Sequence, residues 1–268
     1  MSTYSLNFFA RTLNFRTEVK VALPEYPLQR DAATPRKIAY PVGTRFPVVY
    51  LLHGYTGDYS DWFQMVPIER YAQEYGFAVV MPHGYNCWYM DVPDGPRVQS
   101  FIAEELPAAM EAMLPISDNP RTRFIAGLSM GGTGAVQTML RHPLNYRAVA
   151  SASGVMDREQ LRALYQGGSQ DELETLASLA RAYPEGCPDI SELYLRLQAE
   201  GRDIPPHLFL YGIQDAMFAT QYERFVQFAI EHALPVTADC FAGEHDFAFW
   251  DPAIRRILHW FRQQLDER

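Results

Sequence analysis

The spacing of apolar and polar positions changes along the chain, and each change marks an element. Leu6–Ala10 and Phe15–Leu23 alternate in twos, which predicts two antiparallel strands. Phe46–Leu52 and Gly76–Pro82 are apolar almost without a break, as expected of strands covered on both faces. Further strands are expected at Arg123–Leu128, Tyr146–Ser153, Pro206–Gly212 and Pro235–Phe241. Between them, Asp61–Tyr75, 98–114, Ala135–His142, Gln221–His232 and 252–265 read as helices. Pro107 either kinks the second of these or opens a new piece at its first turn, and Pro143 stops the third. Residues 24–46, rich in proline and charge, read as a loop.

Strands that alternate with helices predict an α/β fold with a mostly parallel central sheet flanked by helices, one domain over residues 1–268. Residues 155–204 break the rhythm. They are charged and helical in composition but interrupted by Gly167-Gly168, Pro184, Gly186 and Pro188. They are expected to be a small helical cap at the sheet's C-terminal edge, because about 50 residues make a marginal core of their own.

The strand at Arg123–Leu128 runs into Gly127-Leu128-Ser129-Met130-Gly131, a G-x-S-x-G turn between a buried strand and a helix. In that context the motif is a nucleophile elbow. The serine stands at the tip of a strained turn, and side chains two residues either side would collide with it. The following helix aims its free N–H groups at the same place, so the backbone N–H of Met130 is a candidate oxyanion donor. A second donor is expected from the glycine-containing loop His53-Gly54-Tyr55-Thr56-Gly57 after the Phe46–Leu52 strand, at the backbone of Tyr55.

A serine hydroxyl needs a base, and the base needs a carboxylate to hold its tautomer. The order expected for this elbow is Ser, then acid, then His. Of the seven histidines, His245 alone follows the final strand in a glycine-containing loop. Asp215 lies just past the preceding strand, where the acid is expected; Asp203 is at that strand's other end, Asp239 is within a strand, and Asp246 is too near His245 to orient it. Asp246 is expected to bond backbone in the His loop. Ser129, His245 and Asp215 therefore predict acyl transfer, chemistry that requires no metal and no organic cofactor. His83 to Asp91, dense in aromatics and following a buried strand, serves either core packing or a wall of the substrate site.

Composition narrows the partners. Apolar content of 48% and charged content of 21% are those of a soluble globular protein. A formal net charge of −9 argues against nucleic acid and anionic membranes. Cys87, Cys187 and Cys240 are too widely spaced for a disulfide framework or a metal cluster and fit a reducing compartment. The first residues have no basic and apolar leader pattern, and no run approaches about 20 apolar residues. A cytoplasmic protein with no membrane partner is expected.

Four stretches together resemble the esterase D group of α/β hydrolases: Leu51-Leu52-His53-Gly54, Glu104-Glu105-Leu106-Pro107, Gly127 to Gly132, and Gly243-Glu244-His245-Asp246-Phe247 through Trp250-Asp251. The resemblance runs from about residue 5 to 262. It implies an α/β-hydrolase fold, Ser129, Asp215 and His245 as the triad, and Tyr55 and Met130 as oxyanion donors. It also implies that Asn86, Trp88, Tyr89 and Asp91 line a substrate pocket, and it carries over a homo-oligomer, a dimer or tetramer. The group includes tributyrin and acetyl esterases, feruloyl and acetyl-xylan esterases, S-formylglutathione hydrolases and secreted mycolyltransferases. Tyr55-Thr56-Gly57-Asp58 stands where the formylglutathione hydrolases have a Cys-Thr segment, and the sequence as read leads to the expectation of a protein that is not exported, unlike the mycolyltransferases. The expectation is a serine carboxylesterase acting on small-molecule, short-chain (acetyl to butyryl) esters. The alternatives are an S-formylglutathione hydrolase, or an acetyl or feruloyl esterase for carbohydrate esters.

Overall fold

Eight strands join in one sheet in the order β1-β2-β4-β3-β5-β6-β7-β8 in the computed structural model, which describes residues 1–25, 43–92, 94–157, 189–216 and 218–267. The hairpin β1 (Ser2–Ala10) and β2 (Phe15–Leu23) is antiparallel and attaches antiparallel to β4 (Ala78–Pro82). The other strands are β3 (Val48–Leu52), β5 (Arg123–Leu128), β6 (Ala148–Ala152), β7 (His207–Gly212) and β8 (Val236–Phe241). They run parallel to β4 and to one another. The unbroken apolar runs become β3 to β6, buried at every position, because both faces of the sheet are covered.

Successive residues of a strand serve opposite cores. Tyr50 and Leu52 of β3 enter one, with Ile125 and Val149, beneath α4 (Leu106–Met113), α5 (Met130–Arg141), α6 (Ile190–Ala199) and α7 (Ala219–Glu231). Val49 and Leu51 enter the other, with Phe124, beneath α1 (Asp61–Gln64), α2 (Ile68–Tyr75) and α8 (Phe247–Asp266). Alternation in the buried strands is thus hidden in the sequence, since both sides are apolar.

Three helices differ from expectation, each for a local reason. The single helix expected at Asp61–Tyr75 is two, because Pro67 cannot donate the bond that would continue the first. Residues 98–114 also divide: α3 (Val98–Ser100), a π-helical turn at Phe101–Glu105, then α4 with Pro107 in its first turn. The wide turn places the Glu105 carboxylate on the β1–β2 hairpin, where it accepts from Arg11 N and Thr12 N, each at 2.7 Å, and from Thr12 Oγ1. Partial burial opposes its charge, but these hydrogen bonds hold its pKa below the ordinary carboxylate value. The closing helix starts five residues earlier than expected. Asp246 caps it, accepting from Phe249 N at 3.2 Å, and Phe249 and Trp250 extend the apolar stripe of Ile254, Ile257 and Phe261 into its first turns.

Of the expected 24–46 loop, residues 26–42 lie outside the described residues, as do 158–188 of the expected cap. The end of that stretch is not cap: α6 buries Leu193, Tyr194 and Leu197 in the sheet's flanking layer, with Tyr194 ringed by His207 and Phe225. No described helix is long and apolar enough to cross a membrane.

His207 opens β7 fully buried, its Nδ1–H donating to Pro205 O, and burial pushes its pKa down to about 3. The unfolded chain, titrating near ~6.5, therefore binds a proton that the folded one refuses, and stability falls as pH drops from about 6.5 toward about 3. Denaturation of wild type and His207→Phe across this range should show the variant losing less stability on acidification. A difference between the two that does not vary with pH would show that His207 does not stay neutral in the fold.

Candidate active site

The turn from β5 into α5 is built on backbone contacts that leave no room for side chains. A Cβ on Gly131 would sit 2.1 Å from Leu52 O, and one on Gly127 would sit 2.4 Å from Gly131 C. The start of α5 is thereby pressed onto the end of β3. Ser129 is held at φ 49°, ψ −121°, a conformation that L-residues rarely adopt and that costs roughly 1–3 kcal/mol. Its N–H is satisfied by Ala152 O of the neighbouring β6 at 2.8 Å. The strain is maintained by neighbours on both sides.

His245 and Asp215 arrive from two loops at the same end of the sheet. Gly212 and Gly243 let those loops touch: a Cβ on Gly212 would lie 2.2 Å from Gly243 O. Gln214 ties them, with its N donating to Gly243 O at 3.0 Å and its Oε1 accepting from Gly243 N at 2.6 Å. As a result His245 Nε2 lies 3.0 Å from Ser129 Oγ, and His245 Nδ1 lies 2.8 Å from Asp215 Oδ2. Asp215 is 2% exposed. An ionised carboxylate only accepts, so Nδ1 carries the proton and Nε2 offers its lone pair to the serine hydroxyl. The arrangement can take a proton from Oγ and keep the resulting imidazolium beside a buried negative charge.

The two histidines of the neighbouring loops, His53 and His83, are occupied elsewhere. His53 is fully buried, with Nδ1–H on Gly54 O at 2.7 Å and Nε2 accepting from Gly84 N at 2.7 Å. Burial lowers its pKa to about 4, so it stays neutral. His83 accepts from Tyr85 N and stacks on the Tyr85 ring; burial lowers its pKa too.

Met130 is the first residue of α5, so its N–H has no acceptor within the helix. The loop bearing Tyr55 passes beside it: a Cβ on Gly54 would lie 3.5 Å from Ser129 Cβ. Among the described residues no three His, Cys, Asp or Glu side chains are grouped to hold a metal.

The residues expected to line a pocket are placed differently. Tyr89 is completely buried, its OH donating to His53 O at 3.0 Å and its ring lying where a Cβ on Gly134 would be. Trp88 is 5% exposed and its carbonyl accepts from Gln137 Nε2. Asp91 accepts from Ser100 N at 3.0 Å and Oγ at 2.7 Å, fastening the start of the 98–113 helical segment. Tyr89 and Asp91 spend their polar groups on backbone and a neighbouring helix, and Trp88 is packed in the core with its carbonyl tied to α5. Asn86 Oδ1 accepts from Thr56 N at 2.8 Å.

Two aromatic neighbours of His245 were not expected. Phe218 lies against its ring at 4.4 Å between centroids, and Trp250 meets it edge-on at 4.9 Å. Trp250 was visible as part of the Gly243–Asp251 motif. Phe218 had no signal beyond following Asp215 by three residues.

A family model described as "Putative esterase" matches residues 13–261. The chain belongs to the Esterase family. Like its relatives, this esterase is a carboxylic ester hydrolase of the α/β-hydrolase group. It is similar to an acetyl esterase of Caldicellulosiruptor saccharolyticus, 24% identical over 99% of this chain and 100% of that one. Among solved structures, it resembles the fluorophosphonate-binding serine hydrolase F of Staphylococcus aureus, with TM-score 0.83 and 26% identity, covering 97% of this chain and 98% of that one. An S-formylglutathione hydrolase from Staphylococcus aureus matches at TM-score 0.81 and 25% identity, with the same coverage.

The contact at the elbow has a measurable consequence. Gly131→Ala should destabilise the esterase by roughly 2–4 kcal/mol in urea titration, because its Cβ meets backbone that cannot move aside. Gly201, at φ 63° with nothing within 4 Å, should cost only about 1 kcal/mol on the same change. Equal losses would mean that the elbow is not closely packed.

Proposed function

We propose that the protein is a serine carboxylesterase that hydrolyses short-chain, acetyl to butyryl, esters through an acyl-enzyme. The observation that carries this reading is the run of two hydrogen bonds, 3.0 Å from Ser129 to His245 and 2.8 Å from His245 to a buried Asp215. Ser129 Oγ attacks the ester carbonyl carbon while its proton passes to His245 Nε2. The carbonyl oxygen, now negative, is held by the backbone N–H groups of Met130 and Tyr55. His245 returns the proton to the departing alcohol. Water then repeats the sequence on the acyl-enzyme, with His245 again as base and Ser129 as leaving group. Asp215 fixes the imidazole tautomer and stabilises the imidazolium. The acetyl esterase relative supports the short acyl group.

The second reading is thioester hydrolysis of S-formylglutathione, favoured by the likeness to the Staphylococcus aureus S-formylglutathione hydrolase. The two differ in leaving group, a thiol or an alcohol, and share every residue above.

The test is kcat/KM on p-nitrophenyl esters from acetate to decanoate and on S-formylglutathione, with Ser129→Ala as the blank. The expected profile peaks at two to four acyl carbons and is reduced by several orders of magnitude in the variant, which folds normally. A preference for the thioester would select the second reading, and turnover equal to that of Ser129→Ala would remove both.

A further inference from the structure

Three attachments of the loop that follows β4 end on the loop bearing Tyr55. Gly84 N donates to His53 Nε2 at 2.7 Å, Tyr89 OH donates to His53 O at 3.0 Å, and Asn86 Oδ1 accepts from Thr56 N at 2.8 Å. Another, from Gln137 Nε2 to Trp88 O, ties the same loop to α5, the helix that begins at Met130. The first two bonds fix the root of the Tyr55 loop at His53. The third reaches its far side, one residue past Tyr55.

That far side is strained. Thr56 has φ 65°, in the left-handed region where a β-branched residue is an outlier. Asn86 has φ 51° and follows Tyr85 at φ 53°, so a left-handed turn presents its carboxamide. A strained residue relaxes unless its surroundings hold it, and here the hydrogen bond from Asn86 opposes relaxation at the peptide unit next to the proposed oxyanion donor. Such a donor contributes only where it points at the developing charge, and displacement by about 1 Å can cost about 100-fold.

We propose that Asn86 is a positioning residue: its carboxamide oxygen, bonded to Thr56 N–H, holds the 53–57 loop so that the Tyr55 N–H faces the tetrahedral oxyanion. This replaces a role for Asn86 in touching substrate. It rests on the reading of Ser129 as nucleophile and Tyr55 as oxyanion donor. Because the oxyanion exists only in the transition state, the effect falls on kcat and leaves ground-state binding alone.

The variant that tests this is Asn86→Gly, which removes the acceptor and tolerates the left-handed backbone. On p-nitrophenyl acetate, kcat should fall about 10- to 100-fold, with KM unchanged within about threefold and the acid limb of the pH profile in place. Labelling of Ser129 by a fluorophosphonate should slow alongside, since the phosphoryl oxygen uses the same donors. Asn86→Asp keeps the acceptor oxygen and gives up the amide donor, and should run at least about threefold faster than Asn86→Gly. A rise in KM at constant kcat, or an aspartate variant no faster than the glycine one, would overturn the proposal in favour of direct substrate contact. Unchanged kcat and KM in Asn86→Gly would also overturn it. If Ser129→Ala abolishes turnover in any of these cases, only the role of Asn86 has failed; if Ser129→Ala is as active as wild type, the underlying reading has failed instead.

Discussion

The close contact between the first turn of α5 and the end of β3 is the constraint on which the rest of the site depends. Backbone meets backbone there, with Gly131 against Leu52 O and His53 O, and Gly127 against Gly131. No side chain fits, so no other residue type at these two positions gives the same geometry. The contact does two things together. It forces Ser129 into its strained conformation above the sheet, and it brings the His53–Gly57 loop alongside the N-terminus of the helix. A candidate nucleophile and two candidate donors are thereby assembled by one packing event.

Rigidity around that contact comes from paired loops. On one side, Gln214 and the Gly212–Gly243 contact bind the Asp215 loop to the His245 loop. On the other, Gly84, Tyr89 and Asn86 bind the loop after β4 to the loop after β3. In each case polar groups are spent on a neighbouring loop's backbone, and for the buried bonds of Gly84 and Tyr89 to His53 desolvation and positioning are solved together. Phe218 and Trp250 complete the surroundings of His245 with apolar surface, which keeps the imidazole between its two hydrogen-bond partners.

The aromatic-rich stretch after β4 shows why a sequence motif can mark a place and leave open whether its side chains pack the core or line a site. Its position at the sheet's C-terminal edge is legible, because a glycine-containing turn follows an apolar run. Trp88 and Tyr89 are nevertheless turned inward, onto α5 and beneath the Tyr55 loop, and Asp91 is turned toward Ser100. Direction depends on successive left-handed residues, Tyr85, Asn86, Trp88 and Tyr89, which residue type does not announce. The helix boundaries follow the same logic. Pro107 was visible as punctuation, but whether it would kink or begin a helix depended on what the freed backbone met; Pro67 lies unmarked inside a stretch that reads as one helix.

Read alone, the sequence determined the order of the described strands, the glycine-spaced turn at Ser129, and the place of Asp215 and His245 after the last two strands, in loops that the structure brings together. These follow from short-range rules: burial on both faces makes unbroken apolar runs, glycine spacing permits one kind of turn, and chain order limits which loops share an edge. The tertiary structure alone decided which side chains face that edge and which support it from below. Asn86 on Thr56, Gln214 on Gly243, Glu105 on the β1–β2 hairpin and Phe218 on His245 join residues from separate elements. Such contacts depend on how elements rotate and approach when two cores are packed at once, and no local pattern in the chain encodes that.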